Sequence, residues 1–244
     1  MSSLYSTAIV KNLYKRPIIS SEIVSQIIYG EKVRILKKKK DWLKIKTITD
    51  GYIGYIKNNK LISNLKISHK CNLLKTSIYI NQKKSKNYLP FNSRISINTV
   101  KKGYGEFEKG KWIKLKEVKK KDYLEKDFLK IVSLFLGSKY FWGGKTFMGI
   151  DCSALIQLIY LFNNKFFPRD TKDQILFTRG RLKKKSFKKG DIIYWKGHVA
   201  ICIDKKRLIH AYGPRKKVLI MNINNTIKLI EKTADLKIKK IVRV

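Results

Sequence analysis

A single cysteine follows a glycine-rich loop and begins an apolar helical pattern in the stretch YFWGGKTFMGIDCSALIQLIY, residues 140–160. Asp151 stands at the expected helix N-cap, so Cys152 falls in the first turn, where the positive end of the helix dipole favours a thiolate. A thiolate attacks carbonyl carbons, which makes Cys152 a candidate nucleophile. On these residues alone, Cys152 could equally be a small apolar residue that fills a helix–loop junction.

A cysteine nucleophile needs a base, and the base needs an orienting partner. The chain holds three histidines, His69, His198 and His210. Two neighbouring strands, HVAICI and RLIHAY, could bring the last two beside Cys152, where His198 would take the thiol proton and His210 would hold its ring. Either histidine alone could instead be structural. A metal site on these three residues, or on the close pair His69 and Cys71, lacks the ligand count and spacing of a zinc site, so we predict no metal or other cofactor.

The spacing of apolar residues changes along the chain and indicates which helices and strands must position these residues. Residues 119–137 carry apolar side chains at helical spacing and predict a helix that Gly137 ends, with one shared face made of Tyr123, Phe128, Ile131, Val132 and Phe135. The N-cap pair Asp170–Thr171 predicts a second, short helix to Phe177. Four strand-like runs follow, DIIYW, HVAICI, RLIHAY and KVLIMNI, and this order predicts an α+β domain with helices packed on an antiparallel sheet.

The N-terminal half predicts short strands. VRIL and WLKIK alternate apolar and polar residues, Asp50–Gly51 predicts a tight hairpin turn, and Gly54 is expected to interrupt the next strand. Residues 66–118 repeat the pattern more faintly in SIYI, PFNSRISI and KWIKLKEV. We therefore expect two small β-barrels, over residues 1–65 and 66–118.

Motifs in both halves resemble known families. NLYKRP, SEIVSQIIYGEKV and DGYIGYI are similar to the recurrent pieces of bacterial SH3 (SH3b) domains, and residues 66–118 resemble a second, degenerate copy. YFWGG, GIDCSALIQ, PRDTKDQ, KKGDIIYW with GHVAICI, and RLIHAYG resemble, in order, the motifs of NlpC/P60 cysteine peptidases. The resemblance implies a papain-like catalytic domain over residues 119–244 behind two SH3-like barrels.

The resemblance also implies roles for individual residues. Cys152 corresponds to the nucleophile, His198 to the base and His210 to the polar third member of the triad. The residues implied around the substrate are Tyr140, Asp151, Ser153, Asp170 and Thr171. We expect Tyr140 to donate a hydrogen bond near the scissile carbonyl and Trp142 to pack in the core. Ala154 stands where the family usually has glycine, so its methyl group is expected to narrow the site.

Two SH3b domains before an NlpC/P60 domain resemble the γ-D-glutamyl-L-diamino acid endopeptidases of the dipeptidyl-peptidase VI type. In those enzymes an acidic and an aromatic residue of the first SH3b domain close the site around a free N-terminal L-Ala, and Glu31 and Tyr55 are our predictions for that pair. The implied activity is hydrolysis of the γ-D-glutamyl to diamino acid bond of murein peptides during cell-wall recycling. Two alternatives stay open: a non-catalytic basic protein that binds wall polymer or nucleic acid, and an amidase or acyltransferase with the same triad.

Composition bounds the partners and the location. The 56 Lys and Arg against 17 Asp and Glu give a net charge of +39. The lysines are spread along the chain beside many Ile and Asn, which predicts a solvated basic surface and no specific nucleic acid partner. Because no export signal and no apolar run of 18 residues is visible, we expect a cytoplasmic protein with no membrane partner. The odd, sparse cysteines fit a reducing compartment, with Cys202 in the core and Cys71 at a domain boundary.

Overall fold

The computed structural model describes residues 3–57, 61–180 and 186–243. The chain divides into two compact units, one made of residues 1–124 with 162–164 and the other of residues 125–161 with 165–244. Within the described ranges, no helix is long and apolar enough to cross a membrane.

The first unit begins with an antiparallel sheet whose strands lie in the order β3-β2-β6-β5-β4-β1-β7. These strands are β1 (Ser3–Ser6), β2 (Val10–Tyr14), β3 (Ile23–Ile28), β4 (Lys32–Lys39), β5 (Trp42–Thr47), β6 (Ile53–Lys57) and β7 (Leu61–Ile62). Alternation in WLKIKT turns every second side chain of β5 inward, as expected for a sheet with one buried face. The core contains Leu13, Ile27, Val33, Leu43, Ile45 and Ile56.

The hairpin predicted at Asp50–Gly51 is confirmed, and the effect predicted for Gly54 is wrong. Gly51 has φ of +73°, and its N–H donates to the Thr47 carbonyl between β5 and β6. Gly54 does not interrupt its strand but lies inside β6. A Cβ atom at Gly54 would lie 2.6 Å from Cγ of Leu13, so glycine is needed for the close approach of β2.

The remaining strands of the first unit form two smaller sheets, ordered β10-β9-β14-β13-β12 and β11-β8-β15. Their bounds are β8 (His69–Cys71), β9 (Lys75–Ile80), β10 (Lys83–Pro90), β11 (Arg94–Ile95), β12 (Thr99–Lys101), β13 (Tyr104–Glu108), β14 (Lys111–Lys114) and β15 (Val118–Lys120), with a 3-10 turn at Leu115–Glu117. Cys71 is fully buried in a core that also contains Tyr29, and its predicted place at a domain boundary stays a prediction. The predicted barrel boundaries at residues 65 and 118 stay predictions.

The second unit packs helices against the antiparallel sheet β21-β20-β19-β18-β22. The helices are α1 (Phe128–Val132), α2 (Cys152–Phe162), α3 (Thr171–Phe177) and α4 (Ile223–Ala234), with 3-10 turns at Ser133–Phe135 and Gly213–Arg215. The strands are β16 (Lys145–Thr146), β17 (Gly149–Ile150), β18 (Asp191–Trp195), β19 (His198–Cys202), β20 (Arg207–Tyr212), β21 (Lys217–Asn222) and β22 (Lys240–Arg243). The predicted α+β layout and the four predicted strands β18 to β21 are therefore confirmed.

Three features of this unit differ from the sequence analysis. The helix predicted from residue 119 begins only at Phe128, because residues 118–120 pair with β8 and Asp127 caps the helix by accepting the N–H of Leu129. The sequence analysis also missed α4 and β22. The stripe Ile223, Ile227 and Ile230 on the buried face of α4 was a usable signal.

Candidate active site

Cys152 lies at the N-terminus of α2, as predicted. The Asp151 carboxylate accepts the N–H of Ala154 at 2.8 Å, which satisfies one of the first donors of the helix. The preceding loop needs glycine at position 149, where φ is +153° and a Cβ would lie 2.4 Å from that of Phe141. Only 4% of Cys152 is exposed, so a buried thiol ends the loop.

The two predicted histidines lie on neighbouring strands of the sheet. A turn containing Gly197, with φ of +76°, places His198 at the start of β19. The register of β19 on β20 turns His198 and His210 to the same face, and His198 Nε2 lies 2.9 Å from His210 Nδ1. The ring of His210 stacks on Tyr212 and is completely buried.

The thiol of Cys152 lies against the start of β19. Its Sγ donates to the carbonyl oxygen of Gly197 at 3.9 Å, and the N–H of Val199 donates to the sulfur. These two residues flank His198 in the chain. The structure therefore places the Cys152 sulfur against the backbone on both sides of His198, whose ring contacts His210.

Burial controls the protonation of the cluster. It raises the pKa of Cys152 to about 12, and the negative charge of Asp151 adds to this effect. Burial lowers the pKa of His198 to about 4, and burial with the adjacent His198 lowers the pKa of His210 to about 3. Burial therefore acts against the helix dipole and favours a neutral thiol and neutral imidazoles.

Arg169 holds Asp151 in the site and was missed by the sequence analysis. Only 2% of Arg169 is exposed, and its guanidinium binds both carboxylate oxygens of Asp151, at 2.7 and 2.9 Å. It also donates to Ser153 Oγ at 3.0 Å. The quoted motif PRDTKDQ contained this arginine, but nothing in it distinguished Arg169 from the many other basic residues.

Four of the residues predicted around the substrate lie at the N-termini of α2 and α3. Gly143 N–H donates to Asp151 at 3.0 Å, so the carboxylate also fixes the glycine loop. Asp170 is the N-cap of α3 and makes no side-chain cap hydrogen bond, and Thr171 is 7% exposed. Contact of Asp151, Ser153, Asp170 and Thr171 with substrate stays a prediction. Ala154 is completely buried, and the expectation that its methyl group narrows the site stays a prediction.

Tyr140 connects the loop to a cleft of about 620 Å³ beside His198. Its backbone N–H donates to the Lys216 carbonyl at 2.9 Å, and burial raises the pKa of its phenol, which keeps the hydroxyl proton in place. Trp142 is 56% exposed, so its predicted core position is wrong. The cleft is lined by Tyr140, Lys196, Gly197, His198, Tyr212, Gly213, Pro214, Arg215, Leu229, Ile230, Thr233, Ala234 and Leu236.

Glu31 and Tyr55 belong to the first unit. Glu31 is 7% exposed and accepts the N–H of Ile28 at 3.1 Å. Tyr55 lies on β6 with the ammonium of Lys44 at 5.9 Å from its ring centre. Their part in closing a substrate site stays a prediction. Throughout the described ranges, no three His, Cys, Asp or Glu side chains are grouped as a metal site requires.

Comparisons with known proteins agree with this geometry. Residues 137–233 match the NlpC/P60 family, and residues 13–61 match the bacterial dipeptidyl-peptidase SH3 domain. The chain is 25% identical over 236 residues to dipeptidyl-peptidase 6 of Lysinibacillus sphaericus, covering 84% of this chain and 85% of that protein. It is 23% identical over 230 residues to the gamma-D-glutamyl-L-lysine dipeptidyl-peptidase of Bacillus subtilis, covering 84% and 77%.

The fold has a counterpart among solved structures. An NlpC/P60 family protein from Bacillus cereus superposes with a TM-score of 0.79 at 20% identity and covers 91% of this chain and 95% of its own. The chain therefore contains a cysteine peptidase domain of the NlpC/P60 family, preceded by a bacterial SH3 domain.

Proposed function

We propose that this chain hydrolyses the γ-D-glutamyl to diamino acid bond of murein peptides that carry a free N-terminal L-Ala. The observation that carries the proposal is the contact of His198 Nε2 with His210 Nδ1 at 2.9 Å, beside the Cys152 thiol on the Gly197 carbonyl. Relatives named gamma-D-glutamyl-L-lysine dipeptidyl-peptidase, which match across 84% of this chain, support the choice of bond.

The first chemical step forms an acyl-enzyme. Because His198 Nε2 is hydrogen-bonded to His210, Nδ1 is the ring nitrogen left to take the thiol proton. The Cys152 sulfur attacks the γ-carbonyl carbon of D-Glu, and the carbonyl electrons move to its oxygen. We assign stabilisation of this oxyanion to the positive N-terminus of α2 and to the protonated hydroxyl of Tyr140.

The second step expels the amine and releases the product. The imidazolium of His198 gives its proton to the leaving nitrogen of the diamino acid, and the C–N bond breaks to leave a thioester on Cys152. A water molecule then gives a proton to His198 and attacks the thioester carbon. The C–S bond breaks, and the Cys152 sulfur takes the proton back from His198. The products are L-Ala-γ-D-Glu and the diamino acid or a peptide that begins with it.

The cleft beside His198 fits the leaving group. His198 must reach the leaving nitrogen to protonate it, so the diamino acid lies on the His198 side of the scissile bond. Lys196 and Arg215 line this cleft, and both are exposed cations that can attract a carboxylate. We therefore place the diamino acid and its carboxylate in the cleft.

The test uses the tripeptides L-Ala-γ-D-Glu-meso-diaminopimelate and L-Ala-γ-D-Glu-L-Lys as substrates. We expect the purified chain to release L-Ala-γ-D-Glu, measured by mass spectrometry, and Cys152→Ala to release none. The matched control is Cys202→Ala, because Cys202 is a second buried cysteine that packs in the core. Equal product from the wild type and from Cys152→Ala would contradict the proposal.

The proposal also assigns recognition of the free N-terminus of the substrate to Glu31 of the first unit. We expect an N-acetylated tripeptide to be a poor substrate, because acetylation removes the positive charge that Glu31 would bind. Glu31→Gln should reduce this discrimination, measured as the ratio of kcat/KM for the free and acetylated peptides. Cytoplasmic recycling of wall peptides also stays a prediction, and fractionation of the producing cell followed by immunoblotting tests it.

A further inference from the structure

Met221 contacts the far side of His210. Its Sδ lies 3.3 Å from His210 Nε2, opposite to the nitrogen that meets His198. The contact follows from the sheet register: His210 pairs with Leu219, and Met221 is two positions further along β21, on the same face of the sheet. One sulfur atom and two imidazoles thus form a continuous row across three strands.

The chemistry of the sulfur fixes the proton on His210. A thioether has lone pairs but no hydrogen, so it can only accept a hydrogen bond. The Nε2 atom of His210 must therefore carry the proton. A neutral imidazole carries only one N–H, so Nδ1 of the completely buried His210 is left as an acceptor.

The tautomer of His210 in turn determines the tautomer of His198. Because His210 Nδ1 accepts, His198 Nε2 must carry the proton of their 2.9 Å hydrogen bond. Nδ1 of the neutral His198 ring is then unprotonated and can take the proton of the Cys152 thiol. In the opposite tautomer Nδ1 of His198 would carry the proton, so that nitrogen could not act as a base.

We propose that Met221 is a positioning residue of the peptidase, whose sulfur accepts the His210 Nε2–H and thereby fixes both imidazoles in the tautomers that make His198 a base. The inference rests on the triad of the proposed function and adds a fourth residue behind it. Met221 also packs partly against the core of the sheet. A packing role alone would be met equally well by leucine, which fills a similar volume without an acceptor.

The first test reads the tautomers without any substrate. Long-range ¹H–¹⁵N spectra of the wild type near pH 7 report which nitrogen of each imidazole is protonated. The chain has three histidines, so His69→Gln and His198→Gln variants assign the signals. We expect Nε2–H tautomers for His198 and His210, and a mixture of tautomers for His210 in Met221→Leu. Nδ1–H on His210 in the wild type, or unchanged spectra in Met221→Leu, would overturn the proposal.

The second test separates positioning from packing by kinetics. We expect Met221→Leu to lower kcat on the order of tenfold with KM within about twofold, well short of the 10⁴-fold loss seen when an orienting residue imposes the wrong tautomer. Met221→Gln should recover most of the rate, because its amide oxygen accepts the same N–H. The control is Met148→Leu, since Met148 is 59% exposed.

The outcomes of the two tests are independent of each other. A kcat for Met221→Leu within about twofold of the wild type would overturn the inference, because leucine retains the packing and lacks only the acceptor. If the wild type does not cleave the tripeptides at all, the proposed function fails, while the spectra still decide whether Met221 sets the tautomers. If Met221→Leu does not fold, Met221→Gln and the wild-type spectra still decide the inference.

Discussion

Replacement of Arg169 by methionine should destabilise the peptidase domain by about 3 kcal/mol. The ion pair is almost fully buried, with Arg169 Nη2 at 2.7 Å from Asp151 Oδ2. At that distance the Coulomb attraction is about 6 kcal/mol for an effective dielectric constant of about 20, part of which is cancelled because methionine avoids burial of a guanidinium. Breaking one side of a buried pair costs about 3–5 kcal/mol, since the remaining charge is left uncompensated.

The lower end of that range applies here because Asp151 keeps other donors. The N–H groups of Gly143 and Ala154 and the hydroxyl of Ser153 still donate to its carboxylate. Urea unfolding followed by far-UV circular dichroism measures the loss. The matched control is Arg207→Met, because its pair with Asp204 is solvent-exposed and its loss should leave the free energy of unfolding nearly unchanged.

A double-mutant cycle tests the reasoning itself. In Asp151→Asn/Arg169→Met no buried charge is left at the pair, so the loss should be smaller than the sum of the two single losses by about 2 kcal/mol. Additive losses would show that the two side chains do not stabilise each other. A free energy of unfolding for Arg169→Met within about 1 kcal/mol of the wild type would likewise refute the argument.

The remaining predictions concern a buried lysine, the cleft and the pH dependence of stability. Lys70 is completely buried and donates to two backbone carbonyls, those at positions 123 and 162, so Lys70→Met should lower the free energy of unfolding by about 2 kcal/mol. Arg215→Gln should raise KM about several-fold for the diaminopimelate peptide with little change in kcat, because the cation binds the substrate carboxylate equally in the ground state and in the transition state. Stability should fall as the pH drops from 6.5 towards 3, because the pKa values of His198 and His210 in the fold are about 4 and about 3, below their ordinary 6.5. The unfolded chain binds more protons in that window, and the His198→Gln/His210→Gln variant should show a shallower slope in urea unfolding at each pH.

Each of these predictions has a control and a contradicting result. Lys205→Met changes an exposed lysine and should leave both stability and KM unchanged. Equal stability of Lys70→Met and Lys205→Met would show that the two carbonyls are not left unsatisfied. A KM for Arg215→Gln equal to that of the wild type would contradict the placement of the substrate carboxylate in the cleft. Equal slopes in the wild type and the double histidine variant would contradict the assignment of the pH dependence.

The sequence predicted the parts of the fold that local patterns determine. The strands β18 to β21 are short apolar runs bounded by turn residues, and Asp151 is a good N-cap before an apolar stripe, so strands and helix were both found. The start of α1 was misplaced because residues 118–120 are held by pairing with β8, which no local pattern shows. The helix α4 was missed because its isoleucine stripe is diluted by the Lys- and Asn-rich composition.

Site residues of a rare type could be predicted from the sequence, whereas site residues of a common type could not. Three histidines leave few possible partners for Cys152, so the pair His198 and His210 could be chosen from the sequence. Arg169 is one of 56 basic residues, and its contact with Asp151 spans 18 positions, so only the fold distinguishes it. Met221 lacks charge and reactivity, and its role depends on a sheet register that the sequence does not specify.

The buried ion pair and the neutral triad are two parts of one electrostatic arrangement. Asp151 is needed to cap α2 and to hold the glycine loop, yet its negative charge raises the pKa of the adjacent Cys152. The guanidinium of Arg169 lowers that pKa and so reduces the cost of placing a carboxylate beside a thiolate. Loss of Arg169 should therefore slow the chemistry as well as weaken the fold. Loss of both charges should return the pKa of Cys152 towards its wild-type value more fully than it returns the stability that the α2 cap provides.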